Sequence, residues 1–184
     1  MMTYAEFTTR RGFTRDELIR LRTGSLVADA PKGLLQGLSP GALLVDRVRD
    51  VHHTPLGGRL SAERDLSLGD CLLLSGTRPS PGDVRSHPLE AVWQLVHLFS
   101  ALWGGVGPVR QLGCQRAGFS GRIGPFTEML RYELDITYRE PPQAPGYCEF
   151  SGTATVLADG IPVYYVHDAR LGIASRLQHG MPRV

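Results

Sequence analysis

The stretch from Leu89 to Trp103 constrains the fold of this chain more than any other. It contains no proline or glycine, and its apolar residues occur on every side of a helical projection. A helix that is apolar all round is buried rather than laid on a surface. Gly104 and Gly105 follow at once and end it. The sequence therefore predicts a central helix over about residues 88–103, which the rest of the chain has to cover.

The region after this helix changes to the pattern of strands. Its segments are rich in β-branched and aromatic residues, and turn residues separate them, the tightest turn being Asp159 and Gly160. The predicted strands run from Val109 to Phe119, Glu128 to Tyr138, Tyr147 to Leu157 and Ile161 to Ile173. Consecutive strands joined by short turns favour an antiparallel sheet. The predicted fold class is α+β, with an antiparallel sheet wrapped around one long helix.

The region before the central helix has shorter elements. Thr14 followed by Glu17 is a capping-box pattern and predicts an N-terminal helix over about residues 14–22. Residues 42–51 and 59–66 favour a strand and hairpin. At the other end, residues 176–184 are expected to form a flexible tail. A chain of 184 residues is enough for one compact domain and too short for two ordinary ones. We therefore expect a single domain over 1–184.

The charge balance restricts the class of partner. Lys and Arg number 20 against 18 Asp and Glu, a formal net charge of +2. This is far from the concentrated positive charge of a dedicated nucleic-acid-binding protein, so no nucleic-acid partner is expected. Lys32 is the only lysine, and all other basic residues are arginines. The arginines either serve anionic partners, to which their planar fork is suited, or reflect a GC-rich genome.

The cysteines and the apolar runs bear on the compartment. Cys71, Cys114 and Cys148 are scattered and have no C-x-x-C spacing, which indicates neither a disulfide framework nor a zinc site. No metal or cofactor is expected. No apolar run approaches the ~20 residues that span a bilayer, and residues 1–11 lack the apolar core of a signal peptide. We expect a cytoplasmic protein with no membrane association.

Three polar residues interrupt the apolar helix along one stripe, namely Glu90, Gln94 and His97. Burying an ionisable group is costly unless the group is paired or functional. Glu90 is therefore either a surface residue that helps the helix begin or a catalytic carboxylate, and the residues leave both readings open. His97 is expected to be a core histidine rather than a catalyst.

The start of the central helix is a second candidate feature. The first backbone N–H groups of a helix have no partner within it, and such groups near Ser86 are able to polarise a carbonyl oxygen. Polarising a thioester carbonyl acidifies the neighbouring carbon, so the arrangement suits acyl-thioester chemistry. His87 lies at this point and is either a participant or a solvated loop residue.

Several short motifs occur in an order and spacing known from one family. Residues 13–18 match that family's N-terminal helix, residues 38–48 its entry strand, and residues 89–95 with 102–105 its central helix. The later strands are matched by residues 112–113, 119–121, 159–160 and 164–172. On these motifs the chain resembles the bacterial 3-hydroxyacyl-ACP dehydratases, particularly the FabA-type dehydratase/isomerase branch, which has the hot-dog fold.

The resemblance implies a site between two subunits of a dimer. Glu90 falls at the position of the family's helix acid, while the histidine that pairs with this acid is replaced by Gly76. Residues 83–85 stand where the family has M-P-G, which leaves the carbonyl-binding position to Arg85 or Ser86. Trp93 and Gln94 are expected to line the acyl site. The family's carrier protein is acidic, and Arg78, Arg85 and Arg170 are candidate contacts for it.

The missing histidine divides the functional hypotheses. Dehydration needs a base for the α-proton and an acid for the leaving hydroxyl, whereas a double-bond shift needs one carboxylate that removes and returns a proton. The first hypothesis is a dehydratase or double-bond isomerase of acyl carrier protein substrates in fatty-acid or polyketide biosynthesis, with Glu90 as base and His87 as a possible replacement for the histidine. The alternatives are a half-site subunit that forms a heterodimer with an active dehydratase, and a non-catalytic acyl-binding module.

Overall fold

The central helix is present and buried along most of its length. The computed structural model describes residues 1–34, 44–75, 87–140 and 146–174. Its helices are α1 (Tyr4–Thr8), α2 (Arg15–Arg22), α3 (Leu68–Ser75) and α4 (His87–Leu102). Its strands are β1 (Arg47–Thr54), β2 (Gly57–Asp65), β3 (Val109–Gly113), β4 (Arg116–Phe119), β5 (Met129–Arg139), β6 (Tyr147–Ala158) and β7 (Ile161–Ala174).

All seven strands belong to one antiparallel sheet. Its order is β1-β2-β5-β6-β7-β3, and β4 also pairs with β7. The single strand predicted over residues 109–119 is two strands in the structure. The first, β3, ends at Gly113, whose φ of +104° departs from the extended conformation of a strand. The prediction of an α+β hot-dog fold, a long helix wrapped by an antiparallel sheet, is confirmed by this topology.

The helix α4 lies close to the inner face of the sheet because a glycine stands beneath it. A Cβ atom on Gly152 of β6 would be 2.6 Å from Cγ2 of Val96 and 4.0 Å from Cγ1 of Ile136 on β5. Just after the end of the helix, Trp103 stacks on Tyr138 of β5, with ring centroids 5.6 Å apart. The helix therefore runs in the same sense as β5, and its first turn lies toward the end of the sheet at which β5 begins.

Local capping explains the short helices at the start of the chain. The capping box of Thr14 and Glu17 is present at the N-terminus of α2, as predicted. Thr3 and Glu6 form a second capping box at α1, which was not predicted from the sequence. Each box satisfies backbone N–H groups that a helix end leaves free. Within the described ranges, no helix combines the length and the apolarity needed to cross a bilayer.

The helix α3 covers the end of the sheet at which β5 begins. Ser67 and Asp70 cap it reciprocally, since the Asp70 N–H donates to Ser67 Oγ (3.2 Å) and the Ser67 N–H donates to Asp70 Oδ2 (3.0 Å). Cys71, which is 1% exposed, donates its S–H to the carbonyl oxygen of Thr127, just before β5. The sequence shows only a short apolar run here, because a helix of eight residues has too few turns to give a clear helical period.

Candidate functional site

Glu90 stands in the first turn of α4 and is partly exposed. Its neighbours Ala91 and Val92 are fully buried. No hydrogen bond or ion pair joins the Glu90 carboxylate to another residue of the described segments. The stripe of Glu90, Gln94 and His97 was expected to lie inside the buried helix. Its first member, Glu90, lies where the helix meets solvent, and its carboxylate is available to a ligand.

Trp93 and Gln94 are buried in the next turn of the same helix. Trp93 is 7% exposed and belongs to the core, and Gln94 is 8% exposed. The side-chain oxygen of Gln94 accepts a hydrogen bond from the Leu44 N–H at 3.2 Å. This contact fixes the chain just before β1 against the helix, so Gln94 has a structural partner whatever else it contacts.

His97 lies on the same stripe and is 4% exposed. Burial lowers its pKa to about 4, so its ring is neutral at neutral pH. It stands seven residues after Glu90, which is ~10 Å along a helix axis. A neutral ring at that separation does not act as the cationic partner of Glu90. The interpretation of His97 as a core histidine agrees with this environment.

Acid should destabilise the protein through His97. Its pKa is lower in the folded than in the unfolded chain, so the unfolded state binds the proton first and stability falls as pH drops below about 6.5 toward 4. Between pH 7.5 and 5 the loss from this group is about 2 kcal/mol. Urea unfolding at both pH values should show that the free energy of unfolding falls less between pH 7.5 and 5 for His97→Leu than for the wild type. The matched variant of the exposed His52, His52→Leu, should retain the full loss, and equal losses in all three proteins would contradict the assignment.

His53 lies away from the start of the helix. The ring of His53 packs against Phe99 and Trp103, at centroid distances of 4.9 and 5.8 Å. Those two residues stand nine and thirteen positions after Glu90, or ~14 and ~20 Å along the helix axis. Burial lowers the pKa of His53. His53 therefore belongs to the aromatic cluster at the far end of α4, with Phe99, Trp103, Tyr138 and Phe150.

Several predicted site residues fall outside the described segments. These are Arg78, Arg85 and Ser86, together with Gly76 at the position of the family's histidine. His87 is described only as the first residue of α4. Arg170 lies on β7, is about half exposed, and has its Nε 3.5 Å from Asp168 Oδ2. The structure therefore places Glu90, Trp93 and Gln94 together on the first half of one helix, and Arg170 on a separate strand.

Two polar residues, Arg64 and Tyr132, lie near the end of the sheet at which β5 begins and were not predicted from the sequence. Arg64 on β2 and Tyr132 on β5 both project from the inner face of the sheet. Tyr132 is fully buried, and Arg64 is mostly buried and donates from Nη2 to Asp70 Oδ1 at 2.6 Å. Their one sequence signal is a polar residue at an inward position of an alternating strand, which is visible only once the inward face is known.

No cluster of metal ligands is found in these segments. Within residues 1–34, 44–75, 87–140 and 146–174, no three His, Cys, Asp or Glu side chains are grouped so that they could share an ion.

Comparison with known proteins gives distant structural similarity. No family model matches the chain. The AziG protein of S. sahachiroi is similar over 70% of this chain and 91% of that chain, with 16% identity and a TM-score of 0.44. A thioesterase family protein from Silicibacter pomeroyi is similar over 92% of this chain and 96% of that chain, with 13% identity and a TM-score of 0.40. The structure of GphF Dehydratase 1 is similar over 70% of this chain and 43% of that chain, with 16% identity and a TM-score of 0.41.

Proposed function

We propose that this protein moves a double bond along, or removes water from, acyl groups held as thioesters, with Glu90 as the base. The observation that supports this most directly is the position of Glu90, a partly exposed carboxylate without a partner among the described residues, in the first turn of an otherwise buried helix. A carboxylate at such a boundary is accessible to substrate and able to act as a general base.

The start of α4 supplies the second part of the proposed chemistry. Apart from Pro88, which has no N–H, the residues of its first turn have backbone N–H groups without an acceptor in the helix, and the helix dipole places partial positive charge there. A thioester carbonyl oxygen bound at these groups, in the region of Arg85 and Ser86, becomes more negative as the enolate forms and is stabilised. The acyl chain would then extend past Trp93 and Gln94.

A double-bond shift is the reaction for which a single carboxylate is sufficient. Glu90 would remove a proton from C4 of a 2-enoyl thioester, the electron pair would move toward the carbonyl, and the same proton would return to C2. The product is the 3-enoyl thioester, with no atom gained or lost. Dehydration of a 3-hydroxyacyl thioester additionally needs a proton on the leaving hydroxyl, and His87 or a second subunit would have to provide it.

The proposed physiological substrate is linked to an acyl carrier protein through phosphopantetheine. Arginine side chains are suited to a phosphate and to an acidic helix surface. Arg170 is the one candidate contact among the described residues, with about half of its side chain exposed. Arg78 and Arg85 are the others. The proposed assembly is a dimer, either of two copies or with a second hot-dog subunit.

The reaction is tested by incubating the protein with carrier protein loaded with 3-hydroxyacyl, 2-enoyl or 3-enoyl chains of equal length. Mass spectrometry reports loss or gain of water, and the ultraviolet absorbance of the conjugated enoyl thioester reports the double-bond shift. We expect interconversion of the two enoyl substrates. Unchanged substrates in all three reactions would contradict an enzyme acting alone.

The half-site alternative is favoured by the replacement of the family's histidine position by Gly76. Co-expression with a hot-dog dehydratase that has its histidine, followed by native mass spectrometry, separates the two proposals. A homodimer with turnover supports the enzyme, whereas an inert chain that gains turnover only in a heterodimer supports the half-site subunit.

A further inference from the structure

Two buried hydrogen-bond donors on adjacent strands have no acceptor among the residues that the structure describes. The Nη1 atom of Arg64 and the hydroxyl group of Tyr132 are both buried and have no hydrogen-bond partner among the described residues. Buried polar groups in folded proteins are almost always paired, since an unpaired one loses its hydration and gains nothing in return. Two such groups at one place therefore indicate a site rather than an isolated defect.

The register of the sheet brings the two donors together. Ala62 is opposite Tyr132, and Arg64 is opposite Leu130, so Arg64 and Tyr132 are diagonal neighbours on the inner face of β2 and β5. Diagonal neighbours lie ~7–8 Å apart at their backbones, within reach of two long side chains that lean toward each other. Burial raises the pKa of Tyr132 despite the nearby charge of Arg64, so the phenol keeps its proton and remains a donor.

The charge of Arg64 is already balanced. Its Nη2 donates to Asp70 Oδ1 at 2.6 Å, while the other carboxylate oxygen of Asp70 accepts from the N–H and hydroxyl groups of Ser67. The free Nη1 donor thus belongs to a neutral ion pair. A ligand carboxylate bound to these two donors would bring an uncompensated negative charge into the interior. A neutral oxygen atom of a ligand would accept from both donors without the cost of burying a charge.

The donors also lie toward the start of the central helix. Tyr132 precedes Ile136 on β5, Ile136 and Val96 of α4 both lie beside Gly152, and the helix runs in the same sense as β5. The first turn of α4 and Tyr132 are thus displaced toward the same end of the sheet, which α3 covers. An acyl chain that enters near Glu90 and passes into the interior would extend along this face.

We propose that Arg64 and Tyr132 form a two-donor site for a neutral oxygen, a keto or hydroxyl group, borne by the acyl chain of the substrate. The inference rests on the proposed function, since it takes the ligand to be an acyl thioester. It adds the substrate class: the chain preferred by this protein is oxygenated, and a plain hydrocarbon chain leaves both donors without acceptors.

The test is a binding comparison between acyl-pantetheine amides of equal chain length, in which nitrogen replaces the thioester sulfur and the carbonyl is kept. One analogue has a saturated chain, and a series has a further keto group at successive carbons. Calorimetry with the intact protein should show at least one keto analogue binding about tenfold more tightly than the saturated one. Tyr132→Phe should reduce that preference to below about threefold and leave the affinity for the saturated analogue unchanged. Because the variant removes an unpaired hydroxyl group, its thermal stability should not fall.

Tyr138→Phe is the matched control, since Tyr138 lies on the same face of β5 at its other end and should retain the preference. Arg64→Lys keeps the charge opposite Asp70 but replaces the forked donors, and it should also weaken the preference. Binding of the saturated analogue without any preference for a keto analogue, or a preference that survives Tyr132→Phe, would overturn this inference alone. Failure of every analogue to bind would overturn the proposed function and this inference together.

Discussion

Replacing Glu90 with glutamine is expected to lower the rate of double-bond shift about 1,000-fold. Glutamine has nearly the same shape and remains polar, but it cannot remove a proton, and general base catalysis contributes roughly 10²- to 10⁴-fold. The loss should appear in kcat, with little change in KM, because the carboxylate acts on the reacting carbon and does not hold the pantetheine arm. Steady-state rates on the 2-enoyl carrier protein substrate measure both quantities.

The structure provides a control for this substitution. Glu149 is also partly exposed, but it lies on the outer face of β6. Glu149→Gln changes the charge of the protein by the same amount and should retain the wild-type rate. Since Glu90 has no partner among the described residues, Glu90→Gln should unfold within about 0.5 kcal/mol of the wild type. Equal rates for wild type and Glu90→Gln, with both proteins folded, would exclude Glu90 from the reaction.

The parts of the fold that follow from local patterns were predicted from the sequence. The run from Leu89 to Trp103, which has apolar residues on every side and no proline or glycine, gave the position of the central helix, because few other structures bury a segment on every side. The pair Thr14 and Glu17 marked the start of α2 for an equally local reason. Alternation located the long strands of the second half to within about two residues. These signals depend on neighbours in the chain and need no knowledge of tertiary contacts.

The parts that depend on contacts between distant segments were not predicted. Glu90 is partly exposed although the adjacent Ala91 and Val92 are fully buried, and no pattern within the helix distinguishes the exposed position from the buried ones. The break at Gly113 results from a backbone conformation with positive φ. Arg64 and Tyr132 become neighbours only through the pairing of β2 with β5. A site assembled across strands has no spacing in the sequence by which it could be recognised.

The burial of Glu63 is another feature that the sequence does not show. This residue is 2% exposed although it lies on the outer face of β2. Its direct cross-strand neighbours are Arg47 on β1 and Arg131 on β5, and their side chains cover it. Arg47 Nε donates to Glu63 Oε2 at 2.7 Å, Arg49 Nε lies 3.2 Å from the same oxygen, and Arg131 Nη2 lies 3.3 Å from Oε1. Burial alone would raise the pKa of Glu63, but these arginines outweigh it and lower the pKa.

Replacing Glu63 with glutamine should therefore lower the free energy of unfolding by about 3 kcal/mol at pH 7, because three arginines lose the one carboxylate that they share. The pKa of Glu63 is lower in the folded than in the unfolded chain, so its contribution is full above the unfolded value and is lost as pH falls below it. Urea unfolding should show the difference between wild type and Glu63→Gln shrinking as pH falls below about 4.5.

Asp135→Asn is the matched control for burial. Asp135 accepts from Arg59 at 2.9 Å, close to the distance at Glu63, but both partners are more than 70% exposed. An exposed pair contributes at most about 1 kcal/mol, since water solvates each charge when the other is removed. A loss at Glu63 no larger than that at Asp135 would mean that water solvates the Glu63 carboxylate as well, and that the arginines over it do not exclude solvent. A larger loss would show that the sheet places one buried charge beneath three solvated ones, so that its outer face stabilises the strands that carry Arg64 and Tyr132 inside.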